Sequence, residues 1–428
     1  MWYYNQIMNI KTVFRALRHK NYRLFFAGQS ISLTGTWIQQ IAVSWLVYRM
    51  TNSVFLLGLV GFSSQISAFL LAPLAGVIAD RHHRHRLLLI TQSLAMLQAI
   101  ILYVLYVTHM ITVWPIILLS LFLGAVNAFD IPVRQSFTVD MISDREDLSN
   151  AIALNSSMVN AARLIGSSIG GVLIALFGEG TCFLINALSY IVVLLSLVMM
   201  RLPRWERSNR HKGSVMLQLR EGFAYAFNFM PIRIILMLLS VISLVVGGVQ
   251  ALMPVFARDI FHGGPKTLGL MTAASGLGAL IGAIYLAGRK NVLGLGKVIA
   301  WTAAIFGAGV IVFSRTSFLM IGLPVLLFSG FGMMVQMASS NIILQTIVEE
   351  DKRGRVMSFY TMAFMGLSPF GSLFSGVLAA RIGAGNTLLW GGFLCIIAAG
   401  VYALQLPTLR SFIRPLYIKK GILAEPVH

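Results

Sequence analysis

Asp130 and Arg134 stand one helical turn apart inside a long apolar stretch, with Pro132 between them. A carboxylate at membrane depth is costly unless it is paired or hydrated, and an arginine at i+4 on a helix is within reach. The pair can therefore lock the fold as an ion pair, or take up and release a proton. Arg163 is the one basic residue inside another apolar stretch. It can serve as a cavity cation for an acidic or oxygen-rich substrate, or as a further partner for Asp130. Polar residues recur around these charges at helical spacing. Gln29, Ser32, Thr36 and Gln40 share one face with Trp37 beside it, Asn160 shares the face of Arg163, and later stretches add Gln250, Gln336 and Ser340. Such faces must turn to other helices or to a wet cavity, and interhelical hydrogen bonding and cavity lining both satisfy them.

The elements that must position these residues are membrane spans. The chain has 428 residues, 57% of them hydrophobic and only 11% charged, against roughly 25% charged in a soluble domain. The apolar runs are continuous, which favours helices over the alternating segments of a transmembrane barrel. Twelve spans are predicted, at 24–48, 54–79, 87–108, 112–135, 151–176, 181–200, 232–257, 268–288, 297–314, 318–347, 356–379 and 387–406. The net charge of +19 raises the question of a nucleic-acid partner, but 27 of the 33 Lys and Arg fall on the side of the N-terminus and five on the other. That asymmetry predicts a topology signal with both termini cytoplasmic, plus attraction to anionic lipid, and no nucleic acid. The first apolar run is too long for a cleaved signal peptide and more spans follow it.

Cys182 and Cys395 both fall in spans without metal-ligand spacing or a disulfide framework. His82, His83 and His85 crowd one turn with no carboxylate ligand pattern around them, so neither a metal nor a cofactor is expected. There is no nucleotide-binding P-loop, no Gly-x-Ser-x-Gly elbow and no His-Glu-x-x-His. The chain therefore reads as a non-enzyme whose work is driven by a gradient, or which equilibrates its substrate.

Between spans 2 and 3 the chain reads GVIADRHHRHR. This resembles the loop between helices 2 and 3 of the major facilitator superfamily, G-x-x-x-D-R with basic residues behind, with Gly76, Asp80, Arg81, Arg84 and Arg86 in the matching places. N-A-F-D-x-P-x-R-Q at span 4 and N-x-A-R-x-x-G at span 5 are similar to the branch holding the enterobactin exporter and related drug and macrolide efflux pumps. The resemblance implies an all-α polytopic fold, twelve helices in two pseudo-symmetric six-helix bundles. It implies a gate in which Asp80 holds the halves together near the start of helix 11, with Arg353 and Arg355 as neighbours. It also implies a monomeric inner-membrane exporter of a small amphipathic molecule, siderophore or drug-like, working by alternating access with proton antiport. Gly166, Gly170 and Gly171 would let helices approach closely. Ser167 stands where such exporters often carry proline.

The expected organisation is an N-terminal bundle with an amphipathic arm at 1–200, a cytoplasmic linker at 201–231, a second bundle at 232–406 and a tail at 407–428. SSIGGVL in span 5 is echoed 205 residues later in span 11, while Gly288 falls where Asp80 stood. Two rival readings stay open: a transporter of the same fold acting on lysophospholipid, and a receptor or scaffold that transports nothing. The gate motif counts against the second, since a scaffold has no use for Asp80.

Overall fold

Lipid offers no hydrogen bonds, so each apolar run closes its backbone bonds within itself as a helix. The computed structural model describes residues 14–142, 144–200, 227–289, 291–420 and 422–423. The helices of the first half are α1 Lys20–Thr51, α2 Val54–Arg81, α3 Arg84–Val107, α4 Val113–Met141, α5 Arg145–Phe177 and α6 Glu179–Val198. Those of the second are α7 Met230–Val255, α8 Pro265–Ala287, α9 Leu295–Arg315, α10 Leu319–Ile347, α11 Glu350–Met365, α12 Ser368–Ile382 and α13 Ala384–Leu404, with α14 Leu406–Lys419 behind them. Among the described residues eleven spans, counting α11 and α12 as one, are long and apolar enough to cross a membrane. The twelfth is α1. Its 32 residues extend about 48 Å, and it packs on α5 and α6. Its polar face makes it less apolar than the rest.

Two details depart from the expected spans. Span 4 was expected to end at 135, but α4 runs through Pro132 to Met141. Asp130 therefore stands about three turns from the helix end, deeper than the sequence suggested. Span 11 was expected as one run, but it is broken between Met365 and Ser368, where Pro369 in the first turn of α12 removes a backbone donor. The Ser243 hydroxyl donates to the Phe364 carbonyl and answers one acceptor freed by the break.

The two halves are related by an internal repeat. Both α4 and α10 are 29 residues long, and they begin 206 residues apart, at Val113 and Leu319. Gln336 thus takes, in the second half, the place of Asp130 in the first.

The bundles meet where α2 packs on α12 and α5 on α8. At the end of the molecule away from the termini, these contacts are backbone to backbone. A Cβ added to Gly58 would lie 2.6 Å from the Ser372 carbonyl oxygen, and one on Gly171 2.6 Å from that of Pro265. Gly166 and Gly170 serve α1 instead, facing Thr34, Trp37 and Ile38 within their own bundle. A π-helical turn at Phe256–Ile260 continues α7 and joins the same end. There the Tyr48 hydroxyl donates to Asp259, and Arg258 donates to Asn52 Oδ1 at 2.6 Å while its guanidinium lies 5.5 Å from the Tyr48 ring centroid.

At the opposite end, a 3₁₀ turn at Arg15–Arg18 is tied to the start of α5. The buried Asp147 carboxylate meets Arg15, Arg18 at 2.7 Å and His19 at 2.9 Å, and Arg18 also reaches Asp144 at 2.8 Å. Burial acts to raise the Asp147 pKa, but the His19 hydrogen bond and the charges of Arg15 and Arg18 outweigh it and hold the carboxyl below its ordinary value. A carboxyl depressed by folding stabilises the docked turn above its unfolded pKa and loses that stabilisation as pH falls through the folded one. The turn should therefore stay docked throughout the neutral range and release only below about pH 4. Asp147→Asn should release it at pH 7, seen as faster proteolysis at Arg15 and Arg18.

The glycine contacts make a second prediction. A Cβ on Gly376 would lie 2.9 Å from Gly58 Cα, while around Gly400 there is open space. Gly376→Val should cost about 1–3 kcal/mol and lower the unfolding temperature of the purified protein, and Gly400→Ala should leave it unchanged.

Candidate functional site

Asp130 is 3% exposed and lies between α3 and α4. Its Oδ1 accepts from the Thr91 hydroxyl at 2.8 Å and the Gln92 amide at 2.7 Å. Arg134 Nε stands 3.6 Å from Oδ2, so the expected pair is present but long. The firmer partners are neutral. The polar chain continues from there. Ser32 donates to Gln92 at 3.4 Å, and the Thr36 and Tyr190 hydroxyls are 3.3 Å apart. On the next turn of α1, Asn186 donates to Gln39 at 2.8 Å and Gln39 to Gln98 at 3.0 Å. Four helices, α1, α3, α4 and α6, are thus joined through one buried polar layer.

This layer corrects the reading of α1. Ser32 and Thr36 share a face, as their spacing predicts, but that face looks into its own bundle toward α3 and α6. Gln29 is likewise buried, at 2% exposure. Gln40 is exposed, and its neighbour Gln39 holds the buried place. The spacing could have found Gln39, since 32, 36 and 39 follow the i, i+4, i+7 rule of one helix face. Thr91, Gln92, Gln98, Asn186 and Tyr190 were also missed. Their signal was helical spacing within apolar spans, Thr91 to Gln98 at i+7 and Asn186 to Tyr190 at i+4.

Arg163 does not join Asp130. Its guanidinium lies over Trp37, 5.2 Å from the ring centroid, and among the described residues no carboxylate lies within 4.0 Å of it. Its Nε is buried and has no hydrogen-bond partner. Arg163 closes one wall of a narrow cavity of about 30 Å³ whose other walls come from α7–α10, including Gln250, Ser275, Phe306 and Met333. Asn160 spends its amide donor on the Ser156 carbonyl one turn back, at 2.9 Å. Gln336 and Ser340 are fully buried and bond to each other at 3.3 Å within α10.

For the gate motif, α2 runs to Arg81, but the side chains of Gly76, Asp80 and Arg81 lie outside the described residues, as do those of Arg353 and Arg355 in the first turns of α11. Arg84 bonds to Asp140 at 2.8 Å at the end of α4, inside its own bundle, and Arg86 is exposed. His85 is spent on the Leu197 carbonyl at 2.8 Å. Among the described residues no cluster could hold a metal ion.

A family model described as transmembrane secretion effector matches residues 11–416. The chain belongs to that family, in the efflux branch of the major facilitator superfamily. It is 26% identical over 384 residues to the staphyloferrin A transporter of Staphylococcus aureus, covering 85% of this chain and 91% of that one. It is 22% identical over 400 residues to macrolide efflux protein A of Streptococcus pyogenes, covering 89% and 96%. The fold is shared with the POT family transporter PepTSo, whose crystal structure in meso superposes with a TM-score of 0.71 over 92% of this chain and 99% of that one, at 15% identity. The protein is therefore a multi-pass membrane transporter for a small molecule and not an enzyme.

In this transporter the polar layer carries a prediction of its own. Gln92→Leu would remove one of the two donors to Asp130 Oδ1, leaving Thr91, and would take from Ser32 its acceptor, costing about 1–3 kcal/mol. The unfolding temperature in detergent should fall accordingly, while Gln40→Leu, on an exposed position, should leave it unchanged.

Proposed function

We propose that the chain is a secondary active exporter of a small amphipathic molecule, siderophore or drug-like, that works by alternating access and exchanges substrate for protons through Asp130. The observation that carries this reading is the setting of Asp130. It is a buried carboxylate at membrane depth whose close partners, Thr91 and Gln92, are neutral. Neutral hydroxyl and amide partners can serve a carboxylate or a carboxylic acid, since each can be reoriented to donate or accept. Arg134 stands farther off, at 3.6 Å, and makes no close hydrogen bond to the carboxylate.

Several features support the transport cycle. With both termini in the cytoplasm of an inner-membrane protein, the Tyr48–Asp259–Arg258 cluster and the glycine contacts close the outer side. Two bundles, 1–200 and 232–406, joined by the linker at 201–231, supply the rocking bodies, and the monomer contains the whole site. The Gly76–Arg86 motif is the inner gate, with Asp80 facing the start of helix 11 when the inner side closes. The substrates named for the relatives, staphyloferrin A and macrolides, set the range.

Everted membrane vesicles test this directly. A panel of a catecholate siderophore, a hydroxycarboxylate siderophore, a cationic dye, a macrolide and a lysophospholipid is followed with the proton gradient present and then collapsed. One of the siderophore or drug classes should accumulate only with the gradient. Asp130→Asn should insert and fold but lose gradient-driven accumulation by more than tenfold. Undiminished accumulation in that variant would refute the role of Asp130, and accumulation of lysophospholipid alone would refute the substrate range.

A further inference from the structure

The membrane interior of the first bundle holds two arginines with opposite fates. Arg134 has Asp130 beside it. Arg163 has no acid within 4.0 Å among the described residues and leaves Nε buried and unbonded. An intramembrane cation without a counter-charge is expensive, and such residues mark substrate or ion pathways. The Trp37 ring covers one face of the guanidinium, which compensates it in part. A ring on the face leaves the planar edge, where the N–H donors lie, free to receive a ligand.

The cavity beyond Arg163 has a definite chemistry. Gln250, Ser275 and Ser329 supply its polar groups, Met253, Phe306 and Met333 its apolar walls, and among the described residues no acid lines it. At about 30 Å³ it has room for roughly two waters or one small planar group, and not for a whole amphipathic molecule. It also spans the two halves. Arg163 comes from α5, while the other lining residues come from α7–α10. A Cβ on Gly276 of α8 would lie 3.7 Å from Arg163 Cγ, so the stem of the arginine already packs against the second bundle.

We infer that Arg163, backed by Trp37, is an anion subsite that takes a carboxylate of the substrate into this cavity and so selects carboxylate-bearing amphipaths over cationic ones. The guanidinium fork matches a carboxylate in two parallel hydrogen bonds. Gln250 and Ser275 line the same cavity from the other bundle, so an anion held there pulls the two halves together. The apolar remainder of the substrate stays in the space between the bundles. This inference rests on the reading of the chain as an exporter.

The test uses everted vesicles with three probes: a citrate-based hydroxycarboxylate siderophore, its methyl ester and a cationic dye. The wild-type protein should accumulate the free carboxylate at least tenfold better than the ester or the dye. Arg163→Gln should raise the apparent KM for the carboxylate by tenfold or more with a smaller change in the maximal rate, and Arg163→Lys should recover part of the loss. Folding of the variants is not the sole support, because the wild-type protein gives a second readout. Its unfolding temperature should rise with the siderophore and not with the methyl ester. Export of the ester or the dye in preference to the carboxylate would overturn the anion subsite and leave the exporter standing. An unchanged KM in Arg163→Gln would do the same. Export of no probe by wild type under any gradient would sink the exporter reading, and this inference with it.

Discussion

Lipid cannot hydrogen-bond, so every polar side chain placed at membrane depth must find its partner inside the protein. The buried layer around Asp130 is where that constraint bears hardest. A carboxylate there obliges α3 to present Thr91 and Gln92, obliges α1 to present Ser32 to Gln92, and brings Tyr190 of α6 to Thr36. One turn along α1, the Gln39–Asn186–Gln98 set repeats the arrangement with amides alone. Apolar packing in a membrane tolerates sliding and rotation of one helix on another, whereas a paired amide does not. The polar layer therefore fixes the rotation of four helices, and the charge at its edge is what makes that layer costly to disturb.

The internal repeat shows that the fold itself does not need the charge. Gln336 occupies the equivalent place in α10, equally buried, and bonds to Ser340 in its own helix. A neutral amide is enough to build that half. A carboxylate in the other half adds a desolvation cost that packing does not require, and such a cost is retained where ionisation does something.

Much of this was legible in the sequence, and the limits have a physical cause. Length and apolar continuity located the spans because lipid imposes them, and helical spacing found the shared face of Ser32 and Thr36. Spacing names a face but not its neighbour. That is why spacing left interhelical hydrogen bonding and cavity lining both open for this face, which the structure turns to α3 and α6, and why Gln40 was singled out while Gln39 holds the buried place. Arg163 and Asp130 were offered as partners because both are intramembrane charges, yet which helix stands between them is a tertiary fact. The end of α4 at 136–141 lay beyond the predicted span because Arg134, Gln135, Ser136, Thr138 and Asp140 end the apolar run, while the helix itself continues to Met141. Thr91 with Gln98, and Asn186 with Ser189 and Tyr190, do share helical spacing, but that spacing again names a face and not the carboxylate or amide it meets.

The helix that stands between the two charges is α1. Thr36 turns to Tyr190 and the Asp130 side of the bundle, and Trp37, the next residue, turns to Arg163 and the cavity. Consecutive residues on a helix point about 100° apart, so one short segment of α1 touches the polar layer through Thr36 and the Arg163 guanidinium through Trp37. A change in the hydrogen bonds of the polar layer that rotates or shifts this segment must move the Trp37 ring over the Arg163 guanidinium. Gly166, which would carry its Cβ 2.8 Å from Trp37 Cβ, brings α5 so close to α1 that little of such a displacement could be lost in slack packing. The two sites therefore need no long path between them. The polar layer and the Arg163 guanidinium meet adjacent faces of the same turn of helix, with the tight α1–α5 contact as the element they share.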